Sequence, residues 1–303
     1  MREQSTEAKR GLNNPRRSSL AQAKGQLRRL NVRAVKGLGQ HFLVDRGLLE
    51  TIVSAAELGP ADTVVEVGPG LGILTEELVR RAGKVIAVEV DSKLAIALGR
   101  KLYQVPQLTV LNANILDFDP SELVGDQTLA SGGVQGYKVV ANLPFYIASP
   151  ILRHFLEAWL KPELMVVMVQ KEVGQSIVAE PGRMSLLGVS IQLYGKPTIV
   201  DYVPARSFYP QPKVDSAIVR IDVYPGPAVD VADVSGFFEV VKAGFSAPRK
   251  QLRNALSLGL QLGAPEVIEL LEQAGIAPQR RPQTLSLEEW AQVYRVFASR
   301  DKR

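Results

Sequence analysis

Short blocks of apolar residues recur along the first two thirds of the chain, and their spacing alternates between that of strands and that of helices. The strand-like blocks are nearly continuous apolar runs, as in strands buried on both faces, whereas the blocks between them repeat every three or four positions. The predicted strands are 63–67, 85–90, 108–111, 139–143 and 164–170, and the predicted helices are 46–58, 71–81, 92–103 and 149–160. This order predicts βαβ units on a parallel sheet that helices cover on both faces, an α/β fold.

Polar residues mark the starts of two predicted helices, since Asp45 is expected to cap 46–58 and Ser149 to cap 149–160. A loop rich in glycine and serine surrounds 131–133. Two further apolar runs, 199–203 and 217–223, flank a loop that contains several prolines, and we predict that they form an antiparallel pair at the sheet edge.

The pattern changes after a linker at 225–227, where helical spacing continues without an intervening strand. Gly275 stands where a helix C-terminal cap belongs, and Ser286 stands where an N-cap belongs. The predicted helices of this part are 235–245, 249–258, 265–274 and 287–298. We therefore predict an α/β domain at 37–226 and a small all-helical domain at 227–303.

Composition limits the classes of chemistry. The chain has 303 residues and 46% hydrophobic residues, enough for a sizeable core, but no apolar run approaches the ~20 residues of a membrane span. It has no cysteine, which excludes disulfides, thiolate catalysis and cysteine-ligated zinc. Its two histidines, His41 and His154, are far apart in the sequence. We therefore expect a soluble, cytoplasmic protein without a metal ion or a membrane anchor.

The charge of the chain is unevenly distributed. The net charge is +5, but residues 1–36 hold ten Lys or Arg against two Asp or Glu, and residues 242–303 hold ten against six. The middle of the chain is slightly acidic. Basic segments at both ends of a slightly acidic chain indicate two regions that could contact a polyanion. We expect the segment 1–36 to be disordered, and an organellar transit peptide is a weaker alternative because Glu3 and Glu7 are atypical of such peptides.

A glycine-rich turn follows the predicted strand 63–67, with glycines at Gly68, Gly70 and Gly72. The dinucleotide fingerprint requires its last glycine one position later, where this chain has Ile73. The shorter spacing still lets a ligand approach the backbone at the start of a helix. Glu89 ends the next strand, roughly 20 residues on, where an acid holds a ribose with two free hydroxyls.

Three further residues are expected at the same sheet edge. Asn114 follows the third strand and is either a partner for the amino edge of an adenine ring or a turn residue. His41 and Leu43 precede the first helix in the run 40–43, which either folds over this edge or supplies a hydrophobic staple to that helix.

The segment Asn142, Leu143, Pro144 and Phe145 closes a buried strand with an amide, a backbone fixed by proline and an aromatic ring. This set suits a flat ligand with polar edges, such as a purine with an exocyclic amine, although a plain turn is the alternative. With the glycine-rich turn, it indicates a nucleotide-like cofactor facing a nitrogen substrate.

These motifs, in this order, resemble those of the KsgA/RsmA-type rRNA adenine N6-dimethyltransferases. The resemblance extends over nearly all of the chain after residue 35. The matching segments are 36–43, 65–72, 88–91, 142–145, 208–217, 245–254 and 281–290. It implies a Rossmann-like S-adenosylmethionine-dependent methyltransferase fold at 37–226, followed by a helical RNA-binding domain at 227–303.

The resemblance implies that Leu43, Gly68, Glu89 and Asn142 bind S-adenosylmethionine, which serves as co-substrate. Two further cofactor positions depart from the common pattern. His41 stands where the family usually has Asn, and Asn114 stands where the family usually has Asp. An Asn oxygen can still accept a hydrogen bond from an adenine amine.

The expected catalytic residues are Asn142, Leu143, Pro144 and Phe145. The side-chain oxygen of Asn142 and the carbonyl of Leu143 would accept the two hydrogens of an adenine amine, and Phe145 would stack on the base. Tyr146 either adds a second stacking surface or packs under the next helix. Arg249, Lys250 and Arg253, placed together at the start of the predicted helix 249–258, are the expected RNA contacts.

The implied activity is dimethylation of two adjacent adenines near the 3′ end of small-subunit rRNA, by a monomer that acts on a pre-30S particle. An Erm-type enzyme of large-subunit rRNA is the first alternative, but those enzymes commonly carry Ile at the position of Leu143. A non-catalytic RNA-binding factor on the same fold is the second alternative. The glycine spacing disfavours a nicotinamide-dependent dehydrogenase.

Overall fold

The computed structural model describes residues 15–30, 39–125 and 136–300, with backbone alone for 15–19. The strands are β1 (Phe42–Leu43), β2 (Thr63–Val67), β3 (Lys84–Glu89), β4 (Leu108–Asn112), β5 (Tyr137–Asn142), β6 (Leu164–Gln170), β7 (Gly195–Val203), β8 (Phe208–Tyr209) and β9 (Ser216–Val223). The helices are α1 (Pro15–Arg29), α2 (Arg46–Ala56), α3 (Ile73–Leu78), α4 (Ser92–Lys101), α5 (Pro120–Val124), α6 (Ala148–Glu157), α7 (Lys171–Ile177), α8 (Leu186–Gln192), α9 (Val234–Phe245), α10 (Leu252–Leu260), α11 (Ala264–Gln273) and α12 (Leu287–Arg300).

The main sheet has the strand order β4-β3-β2-β5-β6-β9-β7. The five strands from β4 to β6 are parallel, and β9 runs antiparallel to β6. The predicted parallel sheet is therefore confirmed. Its interior strands are buried on both faces, with Val64, Val85, Val140 and Val166 fully enclosed. The carboxyl ends of β2, β3 and β5 lie side by side, which is where open α/β sheets bind ligands.

A second, two-stranded ribbon lies in segments for which the sequence predicts no strand. Strand β1 pairs antiparallel with β8, with Phe42 opposite Tyr209 and Leu43 opposite Phe208. Beyond the ribbon, the Val44 N–H donates to the Ser207 carbonyl at 2.8 Å. The ribbon fixes the segment that precedes α2. The predicted edge strands correspond to β7 and β9, which are neighbours in the main sheet.

Two helix starts in the α/β part differ from the prediction. Helix α3 begins at Ile73, because Gly72 is in the left-handed region at φ 76°. Helix α6 begins at Ala148 with Ile147 at the N-cap position, so Ser149 lies inside the first turn and its predicted capping role is wrong. Asp45 does cap α2, since its side chain accepts from the Gly47 N–H. The predicted loop around 131–133 lies outside the described residues.

The expected disorder of residues 1–36 is wrong for 15–29, which form α1. Ala23 and Leu27, one helical turn apart, are buried in a cluster with Phe42, Leu71 and Leu94. The Lys24 ammonium also lies 5.1 Å from the centroid of the Tyr209 ring. The high positive charge of the segment predicted disorder, but its apolar stripe is stabilised by packing against other segments of the chain. Residues 1–14 and 31–36 lie outside the described residues.

The described chain divides into two compact units. The first contains the residues up to Gly174 together with Thr198–Val223, and the second contains Gln175–Pro197 together with the residues from Tyr224 onward. The boundary near 224 agrees with the predicted linker. The segment 175–197 is a correction to the prediction, because it holds α8 and belongs to the second unit rather than to a continuous domain at 37–226.

The second unit has a helical core around α9, in which Phe237 and Trp290 are fully buried. As predicted, Ser286 caps α12. Its hydroxyl accepts from the Glu289 N–H at 3.1 Å, and the Glu289 carboxylate accepts from the Ser286 N–H at 2.8 Å. Gly275 has φ 71° and follows α11. Within the described ranges, no helix combines the length and apolar character that a membrane crossing requires.

Candidate functional site

A cleft of about 330 Å³ opens at the carboxyl edge of the parallel strands. This volume is within the range of small-molecule sites, roughly 300–1,000 Å³. Every predicted cofactor-binding and catalytic residue lines it. These residues are His41, Leu43, Gly68, Glu89, Asn114, Asn142, Leu143, Pro144 and Phe145. The fold therefore brings together segments that are up to a hundred residues apart in sequence.

The glycine-rich turn forms one wall of the cleft. Gly68, Gly70 and Gly72 all have positive φ, at 68°, 57° and 76°, which L-residues with side chains rarely adopt. The turn is also tightly packed, since a Cβ on Gly70 would lie 2.9 Å from the Phe42 ring. Glycine is thus required here for conformation and for close packing.

Glu89 links this turn to the end of β3. It is 4% exposed, and its two carboxylate oxygens accept from the Gly70 N–H at 2.9 Å and the Asp91 N–H at 3.0 Å. Burial raises the pKa of Glu89, against these two hydrogen bonds, which lower it. Each carboxylate oxygen has a further lone pair, so the group can also accept bonds from ligand hydroxyls.

Glu66, a second buried acid, lies in the cleft lining and was not predicted as a site residue. It is 1% exposed, and its Oε2 atom has no hydrogen-bond partner among the described residues. Burial, assisted by the nearby Glu89, raises the pKa of Glu66 to about 8. An acid inside the apolar run of β2 was the signal that could have revealed it. A buried carboxyl oxygen without a partner, facing a cleft, suits a hydrogen-bond donor of a ligand, and a positively charged donor would lower the pKa of Glu66 on binding.

Asn142 ends β5 with its side-chain amide held in one orientation. Its Nδ2 donates to the His41 carbonyl at 3.0 Å. This bond occupies the donor end of the amide, and Oδ1 accepts no hydrogen bond from the described residues, so it can serve as an acceptor. The following Leu143 is buried, and its N–H continues the ladder by donating to the Met168 carbonyl at 3.1 Å. Asn142, with its acceptor atom Oδ1, is therefore held at the end of an interior strand of the sheet.

Two aromatic side chains follow Asn142 in the cleft lining. The Phe145 ring is half-buried and lies 5.3 Å from the His41 ring, centroid to centroid, at an interplanar angle of 30°. Tyr146 is 52% exposed. The expectation that Tyr146 packs under the next helix is therefore wrong, and its ring is available at the cleft.

Asn114 has the structural role that one of its two interpretations predicted. It caps the turn Ile115–Asp117, its Oδ1 accepting from the Leu116 N–H at 3.3 Å and its Nδ2 donating to Asp117 at 3.1 Å. Asn114 also lines the cleft. Contact with an adenine amine stays a prediction.

Arg249, Lys250 and Arg253 lie in the second unit. Helix α10 begins at Leu252, so the prediction that the three cations lie together at the start of a helix is wrong for Arg249 and Lys250, which precede it. The later start arises because the Leu252 N–H donates to the Arg280 carbonyl at 2.7 Å. Arg249 and Lys250 are exposed, and no described acid pairs with any of the three cations.

The chain matches the family model described as "Ribosomal RNA adenine dimethylase" over residues 31–299. It is similar to proteins named "Ribosomal RNA small subunit methyltransferase A". The relative from Dehalococcoides mccartyi is 49% identical over 280 residues, which is 92% of this chain and 94% of the relative. The relative from Pelotomaculum thermopropionicum is 44% identical over 272 residues, which is 88% of this chain and 92% of the relative.

Solved structures of methyltransferases share the fold. The 23S rRNA methyltransferase ErmE has a TM-score of 0.65 and 29% identity, covering 85% of this chain and 99% of ErmE. A dimethyladenosine transferase from Plasmodium falciparum has a TM-score of 0.72 and 23% identity, covering 86% of this chain and 98% of that protein. The fold is therefore that of the S-adenosylmethionine-dependent methyltransferases, with a helical C-terminal region. The chain belongs to the ribosomal RNA adenine dimethylase family and is an rRNA adenine dimethyltransferase.

Proposed function

We propose that this enzyme dimethylates the N6 amines of two adjacent adenines near the 3′ end of small-subunit rRNA. The observation that carries the proposal is the Asn142 amide, which its bond to the His41 carbonyl holds in the lining of the cleft that also contains Phe145. The names of the relatives support the small subunit as the target. Its proposed partner is a pre-30S particle, and the compartment is therefore the cytoplasm.

The cleft is suited to S-adenosylmethionine. The glycine-rich turn lets a ligand approach the backbone, and the Glu89 carboxylate can accept bonds from ribose hydroxyls. The Glu66 Oε2 atom, which has no partner among the described residues, suits a positively charged donor. Leu43 and Asn114 complete the proposed contacts. S-adenosylmethionine supplies an electrophilic sulfonium methyl when it is bound.

The chemical difficulty lies with the substrate amine, whose lone pair is delocalised into the adenine ring. Acceptors for both amine hydrogens favour a pyramidal nitrogen with its lone pair localised. Asn142 Oδ1 and the Leu143 carbonyl are the proposed acceptors, and Pro144 fixes the backbone between them and the aromatic ring. Alignment of the nitrogen with the methyl group accounts for further acceleration. The adenine must leave its stack to enter the cleft, as bases do in other enzymes that modify them.

The test incubates the purified enzyme and S-adenosylmethionine with small-subunit particles from cells that lack this enzyme. Mass spectrometry of the rRNA should find two adjacent dimethyladenosines near the 3′ end. Large-subunit particles from the same cells serve as the second substrate, and modification of their 23S rRNA instead would support the Erm-type alternative, for which the likeness to ErmE is the favouring observation. Bound S-adenosylmethionine with no methylation of either rRNA would indicate a non-catalytic RNA-binding factor.

Phe145→Ala is expected to weaken productive binding of the target base, because stacking of a base on an aromatic ring contributes ~1–3 kcal/mol. The kcat/KM on particles should fall about tenfold or more, whereas Phe145→Tyr keeps the stacking face and should remain near the parent value. Single-turnover assays over a range of particle concentrations measure this. Equal kcat/KM in the Ala variant and the parent would exclude Phe145 as the stacking surface.

Arg249, Lys250 and Arg253 are proposed to contact rRNA phosphates. Each lost phosphate contact should reduce the slope of log affinity against log salt by about one unit, without changing which adenine is modified. The measurement is particle affinity against salt for the triple Ala variant.

Arg295 and Arg300 provide the matched control for this prediction. Both are cations of the same unit that already pair with acids, Arg295 with Glu288 and Arg300 with Glu269. Their Ala variants should keep the salt slope of the parent. If the triple variant also keeps it, the RNA contacts lie elsewhere, and the basic segment before Gly37 becomes the next candidate.

A further inference from the structure

Three contacts converge on His41. Its backbone carbonyl accepts the hydrogen bond from Asn142 Nδ2, and its ring lies against the Phe145 ring. Its Nδ1 atom is 2.6 Å from the Pro210 carbonyl oxygen. Because a carbonyl can only accept, Nδ1 carries the proton and donates this bond. One residue thus contacts both of the side chains that we assign to the reaction.

The distance between the rings decides what this contact can do. A base lying between two rings needs a centroid separation of about 7 Å, twice the ~3.5 Å contact distance of carbon atoms. The observed separation of 5.3 Å is too small, so the two rings are in direct contact and a stacked base must use a part of the Phe145 ring that the imidazole does not cover. The His41 ring is therefore a backing for Phe145 rather than a partner for the base.

The backing ring is itself anchored. Pro210 directly follows β8, and β8 pairs with β1, the strand that directly follows His41. The hydrogen bond from Nδ1 to Pro210 therefore joins the two strands of the ribbon at its end. A ring held by both a hydrogen bond and a strand pair has little rotational freedom left to lose when substrate binds.

We propose that His41 is a positioning residue for methyl transfer, which orients the Asn142 amide through its backbone and the Phe145 ring through its side chain. This proposal rests on the proposed roles of Asn142 and Phe145. It also gives a function to the histidine at position 41, where the family usually has Asn. An Asn would keep the carbonyl, but it has no ring to place against Phe145.

Side-chain substitutions separate the two contacts, because the backbone carbonyl remains in each variant. His41→Ala and His41→Asn are expected to lower the single-turnover rate about 3- to 10-fold, as for loss of an aromatic pair. His41→Phe restores the backing ring without the bond to Pro210 and should recover most of the rate. Because the proposal assigns the His41 side chain to Phe145 instead of the predicted cofactor contact, the affinity for S-adenosylmethionine, measured by calorimetry, should change less than twofold in all three.

His154 provides a matched control. It is the other histidine of the chain, and its ring also contacts a phenylalanine, Phe155, at 5.5 Å, but neither residue lines the cleft. His154→Ala should keep the single-turnover rate of the parent, even if its thermal midpoint falls. The thermal midpoints of the His41 variants identify any general loss of structure.

A double-mutant cycle with Phe145→Ala gives the decisive result. If His41 acts through Phe145, His41→Ala should have little further effect on the rate in the Phe145→Ala background. Independent, multiplying effects would overturn the proposal, as would a weakened cofactor affinity with an unchanged rate. If the parent enzyme does not methylate small-subunit particles, the proposed function fails instead, so the two failures are distinguishable.

Discussion

Asn142→Ala is expected to lower the single-turnover rate of methyl transfer by about 10²–10³-fold, the usual cost of removing one preorganised polar group from an active site. The variant loses the oxygen that accepts an amine hydrogen in the proposed mechanism. The bond from Nδ2 to His41 disappears as well, which should cost stability only about 0.5–1.5 kcal/mol. Rapid-quench assays on small-subunit particles, together with a thermal midpoint, measure the two effects separately.

Asn142→Asp separates the two lost contacts. Aspartate keeps an acceptor oxygen at the end of β5 but cannot donate to the His41 carbonyl. If acceptance of the amine hydrogen is the main contribution, the Asp variant should retain clearly more activity than the Ala variant. Equal losses in both variants would assign the effect to the bond with His41 instead. A near-normal rate in the Ala variant would remove Asn142 from the mechanism.

The strands of the sheet could be predicted because burial on both faces determines their composition. The predicted limits 63–67 and 164–170 coincide with β2 and β6, which are almost wholly buried apolar runs. Once the strands are parallel, their carboxyl ends must share one edge. The proximity of Gly68, Glu89 and Asn142 therefore followed from the sequence.

The ribbon of β1 and β8 could not be predicted in the same way. Each strand has two residues, too few for a periodic signal, and the pairing joins residues more than 160 positions apart. The contact of His41 with Pro210 depends on this pairing, so the sequence could not predict it either. Helix α1 was missed because its charge suggested disorder, whereas its stability depends on a cluster contributed by other segments.

Glu66 could not be predicted as a site residue for a different reason. Its position in β2 was predicted, but only the structure shows that its Oε2 atom has no partner in the described part of the chain. Sequence patterns report which residue types are buried, whereas an unsatisfied polar atom is a property of the packed surroundings. Ligand-facing groups inside a strand are therefore harder to recognise than those at its end.

Glu89→Ala is expected to weaken the binding of S-adenosylmethionine by about 100-fold or more, because hydrogen bonds to a charged group contribute ~1.5–3 kcal/mol each and the ribose offers two hydroxyls. The same change leaves the Gly70 and Asp91 N–H groups without their acceptor, so the glycine-rich turn should loosen. Calorimetry with S-adenosylmethionine measures the affinity, and chemical denaturation of the ligand-free enzyme measures the stability.

Glu89→Gln distinguishes the loosened turn from the lost ribose contact. Glutamine keeps the volume and one acceptor oxygen, which can serve only one of the two backbone N–H groups, while its NH₂ group faces the other donor. Its affinity should lie between those of the parent and the Ala variant. If both variants bind S-adenosylmethionine as tightly as the parent while their stability falls, Glu89 supports the turn without contacting the ligand. The ribose must then be bound by another group in the cleft lining.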